Sequence, residues 1–234
     1  MSKTNLLLAS LLILSVVALV VLIEDLQDKT ESLNSIANRV EIEQLTTTYA
    51  WAIDRKDTDA LMNIFVKGEP GISEIFPVYD ISSLNIPGLT RMEGVMAVRK
   101  FLDEAVIPAE AWTFSSISNV EISLEGNGRA SGGDYYIHEG YIPAEVNNGE
   151  VVRIYNQFMS DSYDLLCKPQ HLVRSYKIGQ HLYKFIKDSN GQWKIQEMLS
   201  SPLFSADNEI VDVQQISAAK KPWHQTFKAI SNCK

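Results

Sequence analysis

Two side chains of this sequence are well suited to moving a proton. Asp54 ends the apolar segment YAWAID at residues 49–54, and His138 lies among tyrosines in YYIHEGY at residues 135–141. A desolvated carboxylate can accept a proton from an acidic C–H bond, while an imidazole or a phenol can donate one to a developing oxyanion. We therefore predict Asp54 as a base and His138 as a donor.

Each of these residues also has a structural interpretation. Asp54 lies away from the helical stripe that begins at Ile42, so it could be a helix-end acid in water. His138 could be a half-exposed histidine on a strand. However, residues 49–53 are apolar on nearly every side of the helix, which indicates burial of that end. The functional interpretation of Asp54 depends on that burial.

The elements that would position these residues follow from apolar spacing. Helical spacing begins at Ile42, Asp57 is a good N-cap for a short second helix, and residues 92–106 return to helical spacing. Turns are predicted at NIPG (85–88), EGNG (125–128) and DSNG (188–191). Long β-type segments cover residues 112–124, 129–142, 151–159, 171–187 and 192–199. This order predicts an α+β fold with three helices on one face of a curved antiparallel sheet.

Strand alternation predicts which side chains share a face. On the second long strand, Tyr136 and His138 should point to one side, with Tyr135 and Ile137 on the other. His181 should share a face with Tyr183, where it could line a pocket or belong to a packed aromatic face. Neither His171 nor His224 has a comparable setting.

The N-terminal part of the chain has a different character. Residues 6–23 are apolar apart from two serines and carry no charge, which suits a helix that crosses a bilayer. We predict a single-pass membrane anchor at residues 1–23, with a cleaved signal peptide as the alternative, followed by a polar stalk at 24–36. The charges that flank this segment do not decide on which side of the membrane the domain lies, although the extracytoplasmic or luminal side is favoured. Residues 206–234 are predicted to be a C-terminal tail.

Composition excludes several classes of function. The net charge is −8 and no basic run occurs, so a nucleic-acid partner is not expected. The histidines are never paired at ligand spacing, so no metal site is expected. The chain also contains no phosphate-binding or dinucleotide-binding motif. Cys167 and Cys233 could form one bridge, but two cysteines cannot form a disulfide framework.

Three segments in this order resemble the NTF2-like superfamily, specifically its SnoaL-like and scytalone dehydratase-like branch. They are YAWAIDRKDTDAL (49–61), MEGVMAVRKFL (92–102) and GQHLYKFIKDSNGQWKIQEML (179–199). The resemblance extends over about residues 37–204 and implies one domain at 37–205. It further implies a cone-shaped α+β barrel with an apolar pocket at its open end, and chemistry without a metal or an organic cofactor.

Asp54 corresponds to a pocket aspartate of the dehydratase-like members. Their pattern has a tyrosine before this aspartate, where this chain has Ile53, and a histidine near residues 112–116, where this chain has none. A later pocket asparagine of the family would fall near Gly179. His138 could correspond to a pocket histidine on the next strand. Because of these departures, we do not expect the protein to dehydrate scytalone itself.

The resemblance implies a SnoaL-like lyase or isomerase that acts on a small hydrophobic substrate, polyketide-like or terpenoid-like, by dehydration, isomerisation or cyclisation. Asp54 and His138 would be catalytic. The predicted substrate-binding residues are Tyr49, Trp51, Tyr79, Trp112, Tyr136, His181 and Tyr183. The alternative is a non-catalytic NTF2-like module that binds a hydrophobic ligand or assembles as a homodimer.

Overall fold

The computed structural model describes most, but not all, of the chain. Its backbone is described for residues 3–84, 90–107, 110, 112–147, 150–153 and 171–212, and its side chains for 15–83, 90–107, 110, 113–142 and 173–205. The turn predicted at 85–88 and both cysteines, Cys167 and Cys233, lie outside the described residues. The chain divides into two units, Met1–Glu41 and Ile42–Lys234.

The first unit is helical. Helix α1 runs from Lys3 to Arg55, so the predicted stalk at 24–36 is part of a helix, with an ion pair of 2.7 Å between Lys29 and Asp25. Among the described residues, no helix has both the length and the apolar content needed to cross a membrane. The side chains of residues 1–14 lie outside the described part, and the anchor at 1–23 stays a prediction.

The second unit contains the end of α1 and the short helical segments that follow it. These segments are α2 (Thr58–Ile64), a 3₁₀ turn (Ser82–Leu84), α3 (Val95–Phe101) and a π-helical turn (Leu102–Val106). Asp57 accepts a 2.9 Å hydrogen bond from the Ala60 N–H, which confirms the predicted N-cap of α2. The third predicted helix begins later than expected because Gly94, at φ 91°, separates α3 from a short strand.

A Schellman motif ends α1. The N–H of Lys56 donates to the carbonyl of Ile53 at 3.1 Å, and the N–H of Asp57 donates to that of Ala52 at 2.9 Å. Lys56 therefore adopts a left-handed conformation, with φ 58°. This position usually holds glycine, because a Cβ is disfavoured at positive φ.

Within the described residues, seven strands form one sheet. They are β1 (Val78–Asp80), β2 (Arg91–Glu93), β3 (Trp112–Gly126), β4 (Arg129–Asn147), β5 (Glu150–Arg153), β6 (His171–Lys187) and β7 (Trp193–Asp212). The order is β2-β1-β7-β6-β4-β3, with β5 paired to β4. The prediction of a wholly antiparallel sheet is wrong, because β1 pairs with β7 in parallel. The segment after α2 already runs parallel to β7, because Phe65 forms a parallel bridge with Ile195.

Turns and bulges give the sheet its connections and its curvature. The predicted EGNG turn joins β3 to β4, with positive φ at both Asn127 and Gly128. In β3 the register shifts between Ser118 and Glu121, where Asn119 has φ 52°. Such bulges bend a strand and increase its twist.

The C-terminal strand is longer than predicted. β7 continues past the boundary proposed at residue 205 and reaches Asp212, where it pairs with His171 at the start of β6. The segment SADNE (205–209) shows no apolar alternation, so its strand character depends on pairing with β6. Only residues 151–153 of the strand predicted at 151–159 are described, and they belong to β5. Residues 154–170 lie outside the described part.

The core lies between the helices and one face of the sheet. Ile42, Phe65, Leu102 and Ile195 are fully buried there. The predicted helical stripe therefore packs onto the sheet, and the inward face of the strands meets the end of α1.

Candidate functional site

Asp54 lies in the last turn of α1, where its half-buried carboxylate meets strand β3. The backbone N–H of Ser115 donates to Asp54 Oδ2 at 2.8 Å, and Ser115 Oγ lies 2.8 Å from Asp54 Oδ1. The carboxylate is therefore held against the sheet by one serine, and it does not simply end the helix in water.

His138 meets the same serine from the neighbouring strand. The register of β3 and β4 places Ser115 opposite His138, and Ser115 Oγ lies 2.9 Å from His138 Nδ1. Asp54 and His138, predicted from separate parts of the sequence, thus contact one hydroxyl group. The predicted shared face of Tyr136 and His138 is also confirmed, because Tyr135 and Ile137 are exposed on the other side.

Glu110 holds the far side of the imidazole. Its carboxylate lies 2.5 Å from His138 Nε2 and accepts a 2.7 Å bond from Lys177 Nζ. Lys177 is the register partner of His138 on β6. Gly140 makes room for this arrangement, since a Cβ at that position would overlap the Glu110 carboxyl group.

The charge of Glu110 fixes the role of the imidazole nitrogen that faces it. Burial would raise the pKa of Glu110, but His138 and Lys177 outweigh it and lower the pKa to about 2. Glu110 is therefore a carboxylate, which can only accept, and His138 Nε2 must carry a proton. When the imidazole is neutral, Nδ1 is the acceptor that faces the Ser115 hydroxyl, and the single hydroxyl proton can be donated either to Nδ1 or to Asp54.

Lys56 adds a cation beside these carboxylates. Burial lowers its pKa to about 8, although the charges of Glu110 and Asp54 act in the opposite direction. With a pKa of about 8, Lys56 still carries its charge in most molecules at neutral pH.

A second polar group is buried deeper in the same sheet face. Asp134 and His181 are register partners on β4 and β6, and Asp134 Oδ1 lies 2.8 Å from His181 Nδ1. The hydroxyl of Tyr183 donates to Asp134 Oδ2 at 2.8 Å. The Asp134 side chain is 0% exposed and that of His181 is 6% exposed, so both polar groups rely on these contacts.

Aromatic rings surround this buried pair. Tyr136 stacks on His181 with ring centroids 4.3 Å apart, and Tyr49 meets His181 edge-on at 5.4 Å. The hydroxyls of Tyr49 and Tyr79 lie 2.5 Å apart. Burial raises the pKa of Tyr79 to about 12 and that of Tyr49 well above its usual value, so both phenols keep their protons as donors.

The structure thus brings most of the predicted site residues to one face of the sheet, in two adjoining groups. Trp51 is not among them, because its side chain points away from the buried stripe of α1, is 57% exposed and packs against the Arg55 guanidinium at 4.5 Å. Trp112 is the first residue of β3, and its side chain lies outside the described residues, as does that of His171. His224 also lies outside them.

Sequence reasoning missed Glu110, Ser115, Lys177 and Asp134. Alternation along β4 could have found Asp134, which has the same parity as Tyr136 and His138. No local pattern marks Glu110, because it lies outside the strands and reaches the site only through the fold. Among the described side chains, no group of three or more His, Cys, Asp or Glu residues is arranged to hold a metal ion.

Solved structures of other proteins share this fold. A hexachlorocyclohexane dehydrochlorinase, LinA type 2, matches with a TM-score of 0.55 and 11% identity, over 76% of this chain and 93% of its own. A scytalone dehydratase-like protein from Novosphingobium aromaticivorans has a TM-score of 0.50 and 16% identity, over 76% and 92%. The Kfla4162 protein from Kribbella flavida has a TM-score of 0.52 and 16% identity, over 74% and 95%.

Comparison with curated protein sequences gave no match. The family model of the SnoaL-like domain matches residues 34–198, which include α2, α3 and most of the sheet. These residues also contain Asp54, Ser115, His138 and the buried pair. The chain therefore belongs to the SnoaL-like family, and its domain has the NTF2-like fold with a curved, mixed sheet.

Proposed function

We propose that this protein is an enzyme that performs proton-transfer chemistry on a small hydrophobic substrate without a metal or an organic cofactor. The reaction would be a dehydration, an isomerisation or a cyclisation, and a polyketide-like or terpenoid-like molecule would suit the aromatic surroundings. The observation that carries the proposal is the meeting of Asp54 and His138 at the Ser115 hydroxyl.

In this proposal Asp54 accepts a proton from an acidic C–H bond of the substrate. The Ser115 hydroxyl can then take that proton from Asp54 while passing its own to His138 Nδ1. His138 returns it to a developing enolate or to a leaving oxygen, and Glu110 stabilises the imidazolium that forms in between. Tyr136 and its aromatic neighbours would bind the apolar body of the substrate.

The structural neighbours support this class of chemistry in a general way. A dehydrochlorinase and a dehydratase are both named for eliminations, in which a proton is lost together with a leaving group. At 11% and 16% identity these likenesses concern the fold, so the proposal for this chain depends on its own side chains.

The test measures proton abstraction directly and needs no natural substrate. Cyclic β-hydroxy ketones and β,γ-unsaturated ketones are incubated with the protein in D₂O, and deuterium at the α carbon is followed by mass spectrometry. The wild-type protein should accelerate exchange for some members of the panel. Asp54→Asn should lower that rate by about 10²–10⁴-fold, because the amide cannot accept the proton.

The matched control is Asp59→Asn. Asp59 is a surface carboxylate, 81% exposed in an ion pair with Arg99, and its replacement should leave exchange unchanged. A thermal melt should show Asp54→Asn folded. A folded Asp54→Asn protein that exchanges the same ketones at the wild-type rate would favour a non-catalytic binding module instead.

A second feature supports assembly as a homodimer, which we propose alongside the activity. The outer face of the sheet exposes Phe114, Tyr135, Ile137, Leu182 and Phe204, each between 41% and 54% exposed. Apolar side chains gathered on one sheet face are typical of a surface that another protein covers, and the same face of a second copy is self-complementary in a two-fold dimer.

Sedimentation measurements test the dimer. Ile137→Lys places a charge in the middle of this face and should shift the protein to monomer. Ile72→Lys is the matched control, since Ile72 is 86% exposed elsewhere and should leave the assembly unchanged. A wild-type protein that sediments as a monomer at high concentration would refute the dimer.

A further inference from the structure

We propose that Ser115, His138 and Glu110 form a nucleophilic triad that takes the acyl group of small apolar carboxylic esters. Two distances define it. Ser115 Oγ lies 2.9 Å from His138 Nδ1, and His138 Nε2 lies 2.5 Å from Glu110 Oε2. A hydroxyl, an imidazole and a carboxylate in this sequence of contacts are what an activated serine requires, whatever fold carries them.

The carboxylate gives the imidazole the correct tautomer. Glu110 is 5% exposed and is also held by Lys177 Nζ at 2.7 Å, so it cannot rotate away without breaking an ion pair. As an anionic acceptor it keeps the proton of the imidazole on Nε2. In the neutral imidazole the lone pair of Nδ1 then points to the Ser115 hydroxyl and can accept its proton.

Asp54 is a second acceptor for the same hydroxyl. Ser115 Oγ has one proton, so donation to Asp54 Oδ1 at 2.8 Å and donation to His138 are two states of one hydrogen. In both states the backbone N–H of Ser115 keeps Asp54 in place. A nucleophilic oxygen between two bases can lose its proton to either of them.

The surroundings suit the charge that would develop on an ester carbonyl. Lys177 and Lys56 provide positive charge beside the two carboxylates. Thr113 Oγ1 is buried without a hydrogen-bond partner in the described part of the chain, and it lies two residues before Ser115 on the same face of β3. Ser115 is half-buried and the His138 side chain is 15% exposed, so within the described residues solvent reaches this group.

The step balances with water as the only co-reactant. Ser115 Oγ attacks the carbonyl carbon while its proton passes to His138 Nδ1. The bond to the leaving oxygen breaks, and that oxygen takes the proton from His138. Water then attacks the acyl-serine with His138 as the base, which releases the carboxylic acid and restores the Ser115 hydroxyl. The aromatic rings of Tyr136 and its neighbours favour an apolar acyl group.

The experiment uses an alkyl fluorophosphonate, from which an activated serine displaces fluoride to form a stable O–P bond. The full chain is treated with the reagent and digested, and its peptides are mapped by mass spectrometry. One adduct, on Ser115, is expected in the wild-type protein and in Ser116→Ala, which alters an exposed serine on the other face of β3. With p-nitrophenyl butyrate, a burst of about one p-nitrophenolate per chain is expected.

Two further variants separate activation from mere exposure. Glu110→Gln should slow labelling by about 10²-fold or more, since the amide neither fixes the tautomer nor stabilises the imidazolium. Ser115→Cys keeps the shape of the site, and residue 115 of this variant should react with iodoacetamide faster than Cys167 and Cys233.

The result that overturns the triad is a folded wild-type protein with no adduct on Ser115, or with adducts spread over exposed serines such as Ser116. This failure is distinct from failure of the proposed function. Deuterium exchange that depends on Asp54 would survive the absence of labelling, and labelling of Ser115 would survive the absence of exchange.

Discussion

Glu110 shows how one buried carboxylate can link stability to function. It contacts both His138 and Lys177, and its pKa is lowered to about 2 from an ordinary value of 4.5. A carboxyl group with a depressed pKa stabilises the folded state above its unfolded pKa, and this contribution is lost as the pH falls towards the folded value. The window for Glu110 therefore lies between about pH 4.5 and pH 2.

Glu110→Gln should remove that acid dependence. The free energy of unfolding of the wild-type protein should fall by roughly 2–3 kcal/mol across this window on account of Glu110, and the variant should lose correspondingly less. Urea unfolding at a series of pH values measures the slope of the free energy of unfolding against pH for the wild type and for the variant. Glu125→Gln is the control and should follow the wild type, because Glu125 is exposed near the end of β3. Equal slopes for Glu110→Gln and the wild type would show that Glu110 is not held as an anion.

At the scale of elements, the end of α1 deserves a direct test because it positions Asp54 with a residue in an unfavourable conformation. Lys56 has φ 58° in the Schellman motif, where glycine is usual. Lys56→Gly relieves that backbone cost of about 1–2 kcal/mol and adds a smaller entropic cost of its own, so we expect a gain of roughly 0.5–1 kcal/mol in stability.

The same substitution removes the cation beside Asp54 and Glu110. The rate of deuterium exchange should therefore fall while the stability of the fold rises. Lys56→Ala is the matched control, since it loses the side chain but keeps a Cβ at positive φ, and it should lack the gain in stability. Thermal melts of the three proteins provide the comparison. A loss of stability in Lys56→Gly would mean that the lysine side chain contributes more to the fold than its backbone costs.

Local patterns predicted the elements whose signals are local. The Asp57 cap, the EGNG and DSNG turns and the helical stripe from Ile42 all depend on neighbouring residues, and the structure has each of them. The parallel pairing of β1 with β7 and the extension of β7 to Asp212 depend on distant partners. Sequence periodicity contains no information on such pairing, so both were missed.

The site follows the same division. Asp54 and His138 could be predicted as candidates because each lies in an informative local setting, at the end of an apolar helix or within an alternating strand. Their common partner Ser115 follows from the register of β3 and β4, and Glu110 from the path of the segment before β3. These are tertiary facts that no spacing in the chain encodes.

At the scale of the whole molecule, the N-terminal apolar segment leads to a proposal on location. The apolar run at residues 6–23 remains the basis of our proposal that the protein is a single-pass membrane protein, with its SnoaL-like domain on the extracytoplasmic or luminal side. The full-length protein should then remain in the membrane fraction after alkaline carbonate extraction, and a variant that starts at residue 34 should be extracted. A mature N-terminus just after residue 23 would instead identify a cleaved signal peptide.

The central claim is that Asp54 and His138 act as one unit through Ser115, and a double-mutant cycle on deuterium exchange tests it most directly. Residues that act as a unit are strongly non-additive, so Asp54→Asn and His138→Gln together should cost little more than Asp54→Asn alone. Ser115→Ala should lower the rate less than Asp54→Asn and should make the two other losses closer to additive. Losses that simply multiplied in the protein that retains Ser115 would contradict this claim, because the two groups would then act independently.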